Sequence, residues 1–161
     1  MLQAKDVAPN FSTVNELNET ISLHDFHGKK NVVLYFYPKD DTPGCTIEAN
    51  DFTALANEFA TLDTVVIGVS KDSCASHTQF IEKYGLKVDL LADTSGEICE
   101  NYDVWREKEK EGIKKMAILR STFIIDKEGN LTDVNYGVNH EGHAEETLEK
   151  IKSLAAPATD E

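Results

Sequence analysis

The chain has 161 residues, 40% of them apolar, which is enough for one domain with its own core and too many for wholesale disorder. Its 29 acidic residues outnumber 16 basic ones, giving a net charge of −13 with no basic patch, which argues against nucleic acid and anionic membrane as partners. No apolar run approaches the roughly 20 residues needed to cross a bilayer.

Residues 21–23 can form a short strand. The continuous apolar run 32–37 suits a strand covered on both faces. A helix is expected over 46–60, where Ile47, Phe52, Leu55, Ala56 and Phe59 recur at helical spacing and face inward. Residues 64–70 read as a second buried strand. A helix over 73–84 follows, with Gly85 as its stop signal. Residues 88–92 read as a third strand and 96–102 as a short helix. The alternating charges of 106–111 read as a solvated helix end or loop. Two strands, 121–126 and 131–136, flank the turn 127–130, where Gly129 and Asn130 tolerate positive φ. Helix 143–154 carries Leu148, Ile151 and Leu154 on one face, and the tail 155–161 is expected to fray. No repeat or linker interrupts the pattern, so residues 1–161 are read as a single domain. Its class is α/β, with a mixed central sheet flanked by helices.

The segment 38–46 carries the chemistry. Thr42 followed by Pro43 fits an N-cap and the first helical position. Cys45 then falls in the first turn, where unpaired N–H groups and the helix dipole favour a thiolate, the nucleophilic form. Asp40 and Asp41 oppose this, because nearby negative charge raises a thiol pKa. Lys39 offsets them only in part, so a cation from elsewhere in the chain is required. The bland alternative is a buried, inert cysteine. Arg120, just before the strand 121–126, needs a partner for its charge. For an arbitrary arginine that partner is a surface acid at a strand edge.

The chain has three cysteines, and no pair is separated by only two residues. That excludes a Cys-x-x-Cys motif and argues against structural zinc. Cys74 reads as a half-buried thiol at a helix start. Cys99, among Ile98, Tyr102 and Val104, reads as a core residue. His140, Glu141, His143 and Glu145 could form a metal cluster, but acidic residues at a helix start suit the dipole, so no metal is expected. His24 and His27 are expected to face solvent, and His77 to lie on an exposed polar face. Trp105 and Tyr102 are expected to pack. No glycine-rich phosphate loop supports a nucleotide cofactor.

Pro38, Thr42 and Cys45, in the spacing Pro-x-x-x-Thr-x-x-Cys, resemble the peroxidatic motif of peroxiredoxins. The run Tyr35-Phe36-Tyr37-Pro38-Lys39-Asp40-Asp41-Thr42-Pro43-Gly44-Cys45-Thr46, with Glu48 and Ala49 after it, is similar to the bacterioferritin-comigratory-protein (Q-type) subgroup. Ala8-Pro9-Asn10-Phe11, Val104-Trp105 and Ser121-Thr122-Phe123-Ile124-Ile125-Asp126 also look like that subgroup. The resemblance implies a thioredoxin-like fold and a thiol-dependent peroxidase. Such an enzyme reduces hydrogen peroxide and organic hydroperoxides through a Cys45 sulfenic acid, with no metal or organic cofactor. It implies an external thiol reductant such as thioredoxin, a glutaredoxin or a low-molecular-weight thiol. Cytoplasm is the expected location, on the absence of signal-peptide features at the N-terminus, and monomer the expected state. In the family an arginine at the position of Arg120 reaches the peroxidatic sulfur. Thr42 and backbone N–H groups would orient the peroxide, and Pro38 would shape the pocket.

The chain departs from the subgroup at the next step. The familiar resolving positions carry Asn50 and Ile81 rather than cysteine. Cys74 shares the helix face of residue 81, displaced by about 10 Å along the axis. A one-cysteine cycle is the first expectation, a transient Cys45–Cys74 disulfide the second, and Cys45–Cys99 the third. A peroxide-responsive redox sensor, or a thiol-based binding module with slow turnover, stands as the alternative function.

Overall fold

The computed structural model describes residues 1–155. In chain order they form β1 (Ser12–Val14), β2 (Thr20–Ser22), a 3-10 helix (Leu23–Phe26), β3 (Asn31–Phe36), α1 (Pro43–Ala54), α2 (Ala56–Thr61), β4 (Thr64–Ser70), α3 (Cys74–Tyr84) and β5 (Asp89–Ala92). Then come α4 (Glu97–Asn101), β6 (Trp105–Lys110), β7 (Ile113–Ile118), β8 (Ser121–Ile125), β9 (Leu131–Tyr136) and α5 (His143–Ala155).

Every residue of β3 is buried, as a continuous apolar run requires. β3 lies at the centre of a five-stranded sheet ordered β5-β4-β3-β8-β9. β3, β4 and β5 are mutually parallel, while β8 runs antiparallel to β3 and β9 antiparallel to β8. The sheet is mixed and flanked by helices, as the sequence implies. Side chains alternate across a strand, so β3 feeds two cores. Val32, Leu34 and Phe36 pack with Cys99, Tyr102, Val104 and Phe123 on one face. Val33, Tyr35 and Tyr37 pack with Cys45, Phe52, Phe59, Leu148 and Ile151 on the other.

Several elements depart from the sequence reading. The helix expected over 46–60 starts three residues earlier and is two helices, divided at Leu55 (φ −101°, ψ 5°). No glycine or proline marks that break. Ile47, placed on the inward face, is 44% exposed, and the inward positions of α1 are Cys45, Glu48, Ala49 and Phe52. Residues 106–111 are not a helix end or simple loop. Most of them belong to the β6–β7 hairpin, turned by Glu111 (φ 54°) and Gly112 (φ 79°). Two successive positive φ values match the twist of a tight hairpin. Strand β1, which pairs antiparallel with β2, had no sequence signal. Helix α3 begins at Cys74 behind the Ser73 cap and ends at Gly85 in the left-handed conformation (φ 63°). Helix α5 runs through Ala155, and the fraying expected for the rest of the tail, 156–161, lies outside the described residues.

Candidate active site

The site is built where β3 gives way to α1. Thr42 has extended backbone (φ −100°, ψ 155°), Pro43 is the first helical residue, and Cys45 sits in the first turn at 2% exposure. The first bond of the helix runs from the Thr46 N–H to the Thr42 carbonyl at 2.8 Å. The N–H groups of Gly44 and Cys45 precede it, and they make the helix start electropositive. The Thr42 hydroxyl does not cap the helix. It donates to the Lys39 carbonyl at 2.8 Å, which leaves its oxygen free to accept.

The required cation is Arg120. Phe36 ends β3 directly opposite Ser121 of β8, so the residue before Ser121 sits level with the exit into the active-site turn. Arg120 Nη2 lies 3.2 Å from Cys45 Sγ, and Nη1 lies 2.6 Å from Glu48 Oε1. Sequence alone allowed a surface ion pair at a strand edge, but the side chain of Arg120 is 15% exposed and that of Glu48 fully buried. Burial works against the Arg120 charge, yet Glu48 and Cys45 outweigh it, so the guanidinium is held more firmly protonated than usual. Burial also pushes the Glu48 carboxyl up to about 7, because it opposes the charged form more strongly than Arg120 supports it. Glu48 escaped the sequence reading as a site residue. Its signal was its place three residues after Cys45 and four before Phe52, on the inward face of α1.

The aspartates that threatened the thiolate are both matched. Asp41, itself in the left-handed region (φ 54°), points outward to Lys83 Nζ at 2.8 Å and the Tyr84 hydroxyl at 2.6 Å. These partners hold its carboxyl below the usual range. Asp40 points inward, where its Oδ2 lies 2.7 Å from His77 Nδ1. His77 is fully buried, not on an exposed face as its helix pattern suggests.

Pro38 follows β3 at the surface, exposed, and begins the turn. Cys74 is half-buried at the start of α3, its Sγ donating to the Asn15 carbonyl at 2.8 Å. Cys99 is fully buried in the core on the opposite face of the sheet from Cys45, and burial pushes its thiol far up. All three cysteines are free thiols. Asn50 is exposed on α1 and Ile81 half-buried on α3. His140 and His143 do not meet over a metal. His143 is buried and bonds Thr122 Oγ1 at 2.6 Å. His140 lies over Gly44, where a Cβ would stand 3.0 Å from its Nδ1 and 3.3 Å from Arg120 Nη2. Among the described residues, Asp40, Asp72 and His77 are the group of acids and histidines close enough to share an ion, and hydrogen bonds already join them.

A cysteine at a helix start, held against an arginine beside a mixed sheet, suits a thiol-based enzyme. Comparison with known proteins agrees. The model of the AhpC/TSA family matches residues 4–134. Peroxiredoxin Bcp of Bacillus subtilis is 45% identical over 148 residues, 92% of this chain and 94% of the relative. The solved structure of a PrxQ mutant from Xylella fastidiosa superposes with a TM-score of 0.91 at 33% identity, over 97% of this chain and 99% of that one. The bacterioferritin comigratory protein of Xanthomonas campestris, solved for its alkyl peroxide reduction activity, gives 0.88 at 34% identity, over 96% and 100%. The chain belongs to the AhpC/TSA family, among its Bcp or Q-type peroxiredoxins, and is a thiol-dependent peroxidase of thioredoxin-like fold. No helix among the described residues is long and apolar enough to cross a membrane.

Proposed function

We propose that Cys45 is the peroxide-reactive thiol of this enzyme, and that Thr42, Pro38 and Arg120 shape the site around it. The observation that supports this most directly is the 3.2 Å approach of Arg120 Nη2 to Cys45 Sγ in the first turn of α1. The guanidinium and the helix-start N–H groups stabilise negative charge on sulfur before attack and on the leaving oxygen after it. The Thr42 oxygen, its proton committed to Lys39, accepts a hydrogen bond from the incoming hydroperoxide.

The Cys45 thiolate attacks the terminal oxygen of R–O–OH. The S–O bond forms as the O–O bond breaks, giving Cys45–SOH and an alkoxide or hydroxide that takes a proton from solvent. A first external thiol then displaces water from the sulfenic acid to give a mixed disulfide. A second thiol releases Cys45 as a thiol and leaves as the reductant's disulfide. The substrates are hydrogen peroxide and organic hydroperoxides, the latter in line with the Xanthomonas relative. The reductant is an external thiol such as thioredoxin, a glutaredoxin or a low-molecular-weight thiol. The enzyme works as a monomer in the cytoplasm, where reducing conditions keep its cysteines free.

The absence of a thiol at 50 and 81 supports this one-cysteine cycle, with a transient Cys45–Cys74 disulfide as the close alternative. Of the remaining cysteines, Cys74 stands nearer the chemistry than Cys99. Ser76 and His77, in the same helical turn as Cys74, both bond Asp40 of the active-site turn. Cys99 is separated from Cys45 by the sheet.

The test is multiple-turnover peroxide consumption with a thiol reductant, in the parent and in Cys45→Ser. The parent is expected to turn over and the variant to lose activity entirely. A single oxidation event without turnover would support the sensor reading, and full activity in Cys45→Ser would overturn both.

A further inference from the structure

The peroxidase chemistry leaves one buried polar cluster without a task. Asp40, five residues before Cys45, meets three side chains, one just after β3 and two on α3. The hydroxyl of Tyr37, the residue after β3, donates to its Oδ1 at 2.6 Å. The Ser76 hydroxyl of α3 donates to its Oδ2 at 2.8 Å. His77 Nδ1 meets the same oxygen at 2.7 Å. The other ring nitrogen of His77 meets the Leu91 carbonyl of β5 at 2.9 Å. The Asp40 N–H is tied to Asp72 Oδ2 at 2.8 Å, and Asp72 in turn accepts from Ser70.

These contacts constrain where the protons sit. A carbonyl cannot donate, so Nε2 of His77 carries a proton to reach Leu91. Nδ1 then either accepts from a protonated Asp40 or donates to an ionised one. Tyr37 and Ser76 both donate to Asp40, and a carboxylate surrounded by donors is favoured in its charged form. With Asp40 ionised, Nδ1 donates too, which makes His77 an imidazolium held between two acceptors. The charged and titratable groups facing the pair are Tyr37 just after β3, Asp72 from the turn after β4, and Glu16 from the loop between β1 and β2, whose charge His77 attracts. Asp41 on the same turn is taken up by Lys83.

The cluster adjoins the core around the reactive sulfur: Tyr37, whose hydroxyl donates to Asp40, packs in the same apolar cluster as Cys45.

We propose that His77 is a positioning residue of the peroxidase site: as an imidazolium clamped between Asp40 and the Leu91 carbonyl, it cancels the carboxylate charge beside the Cys45 helix start and pins the turn 38–42 to α3. The proposal rests on Cys45 being the reactive thiol, but its first test does not. In protein labelled with 15N-histidine, long-range 1H–15N spectra recorded under the assay conditions are expected to show both His77 ring nitrogens protonated. A single protonated nitrogen overturns the proposal whatever Cys45 does.

The second test is the pH midpoint of the rate constant for peroxide attack, measured in the parent, His77→Asn and Asp40→Asn/His77→Asn. Asparagine at 77 keeps a donor toward Asp40 but loses the positive charge. The midpoint is expected to rise by roughly half to one unit, read as a ~3- to 10-fold loss of rate below both midpoints. Removing the carboxylate as well returns the midpoint to the parent value. An equal shift in both variants reduces His77 to packing, and no shift in either removes its influence; both results overturn the proposal. Should His77→Asn fail to fold, the spectra of the parent still decide.

Discussion

Arg120 and Cys45 are 75 positions apart in the chain, yet guanidinium Nη2 and sulfur Sγ approach to 3.2 Å. The same guanidinium holds Glu48 through Nη1, so one planar fork is shared between a sulfur and a buried carboxyl. The orientation of the arginine toward sulfur is thus set by an acid one helical turn further along α1.

Replacing Arg120 with lysine tests that fork. Lysine keeps a positive charge but offers one flexible ammonium in place of a rigid planar donor set. It cannot hold Glu48 and face the sulfur in the same geometry. The second-order rate constant for peroxide attack, followed by stopped-flow fluorescence, is expected to fall about 10²- to 10³-fold, the usual effect of losing an aligned transition-state donor. A change below threefold would show that charge alone suffices.

Gly44→Ala probes the same arginine from the opposite side. The added Cβ would stand 3.0 Å from His140 Nδ1 and 3.3 Å from Arg120 Nη2. Both are ends of flexible side chains, and alanine suits a helix better than glycine by up to about 1 kcal/mol. Stability is therefore expected to stay within about 1 kcal/mol of the parent in urea denaturation. The peroxide rate is expected to fall about 10-fold, because small displacements of a catalytic donor are costly. Unchanged rates would place the Arg120 geometry outside the rate-determining contacts.

The parts of this site legible in the sequence are those encoded locally. Thr42, Pro43 and Cys45 spell a helix start within four residues, and the structure has that start. Arg120 could be matched to the sulfur only through family resemblance, because its position depends on Phe36 pairing with Ser121 across the sheet. His77 misled because a polar residue on an amphipathic helix reads as solvated; its burial depends on acceptors supplied by two other elements. Glu48 was not singled out, since an inward carboxyl needs a distant arginine. The β6–β7 hairpin had no pattern to find, because most of its residues are exposed on both faces and neither helical nor strand periodicity is imposed on them.

Cys74→Ser decides how the sulfenic acid is resolved. Serine keeps a donor for the Asn15 carbonyl that Cys74 now engages, so the fold should persist. With a low-molecular-weight thiol as reductant, turnover is expected to match the parent. Peptide mapping of the parent under non-reducing conditions, after one equivalent of peroxide, is expected to show no stoichiometric internal disulfide. A full equivalent of Cys45–Cys74 would replace the one-cysteine cycle with a two-cysteine one.

Glu48→Gln tests whether burial or the ion pair governs the acid beside the active site. Burial outweighs Arg120, and Asp51 adds to the same side, so the folded-state carboxyl titrates at about 7 against an ordinary value of 4.5. Between these values the folded protein binds more protons than the unfolded chain, and stability falls as pH rises. The contribution is fully present below the ordinary value and is lost by the time the pH has passed the folded one. Its size is at most about 3.5 kcal/mol, since one pK unit corresponds to about 1.4 kcal/mol. Glutamine preserves the shape and an oxygen for Arg120 but cannot titrate. Urea denaturation at about pH 5 and about pH 8 should therefore show the parent losing stability relative to Glu48→Gln across this window. Parallel curves for the two proteins would mean that Arg120 holds the carboxylate ionised throughout, and that the pair acts as a fixed salt bridge rather than a titrating one.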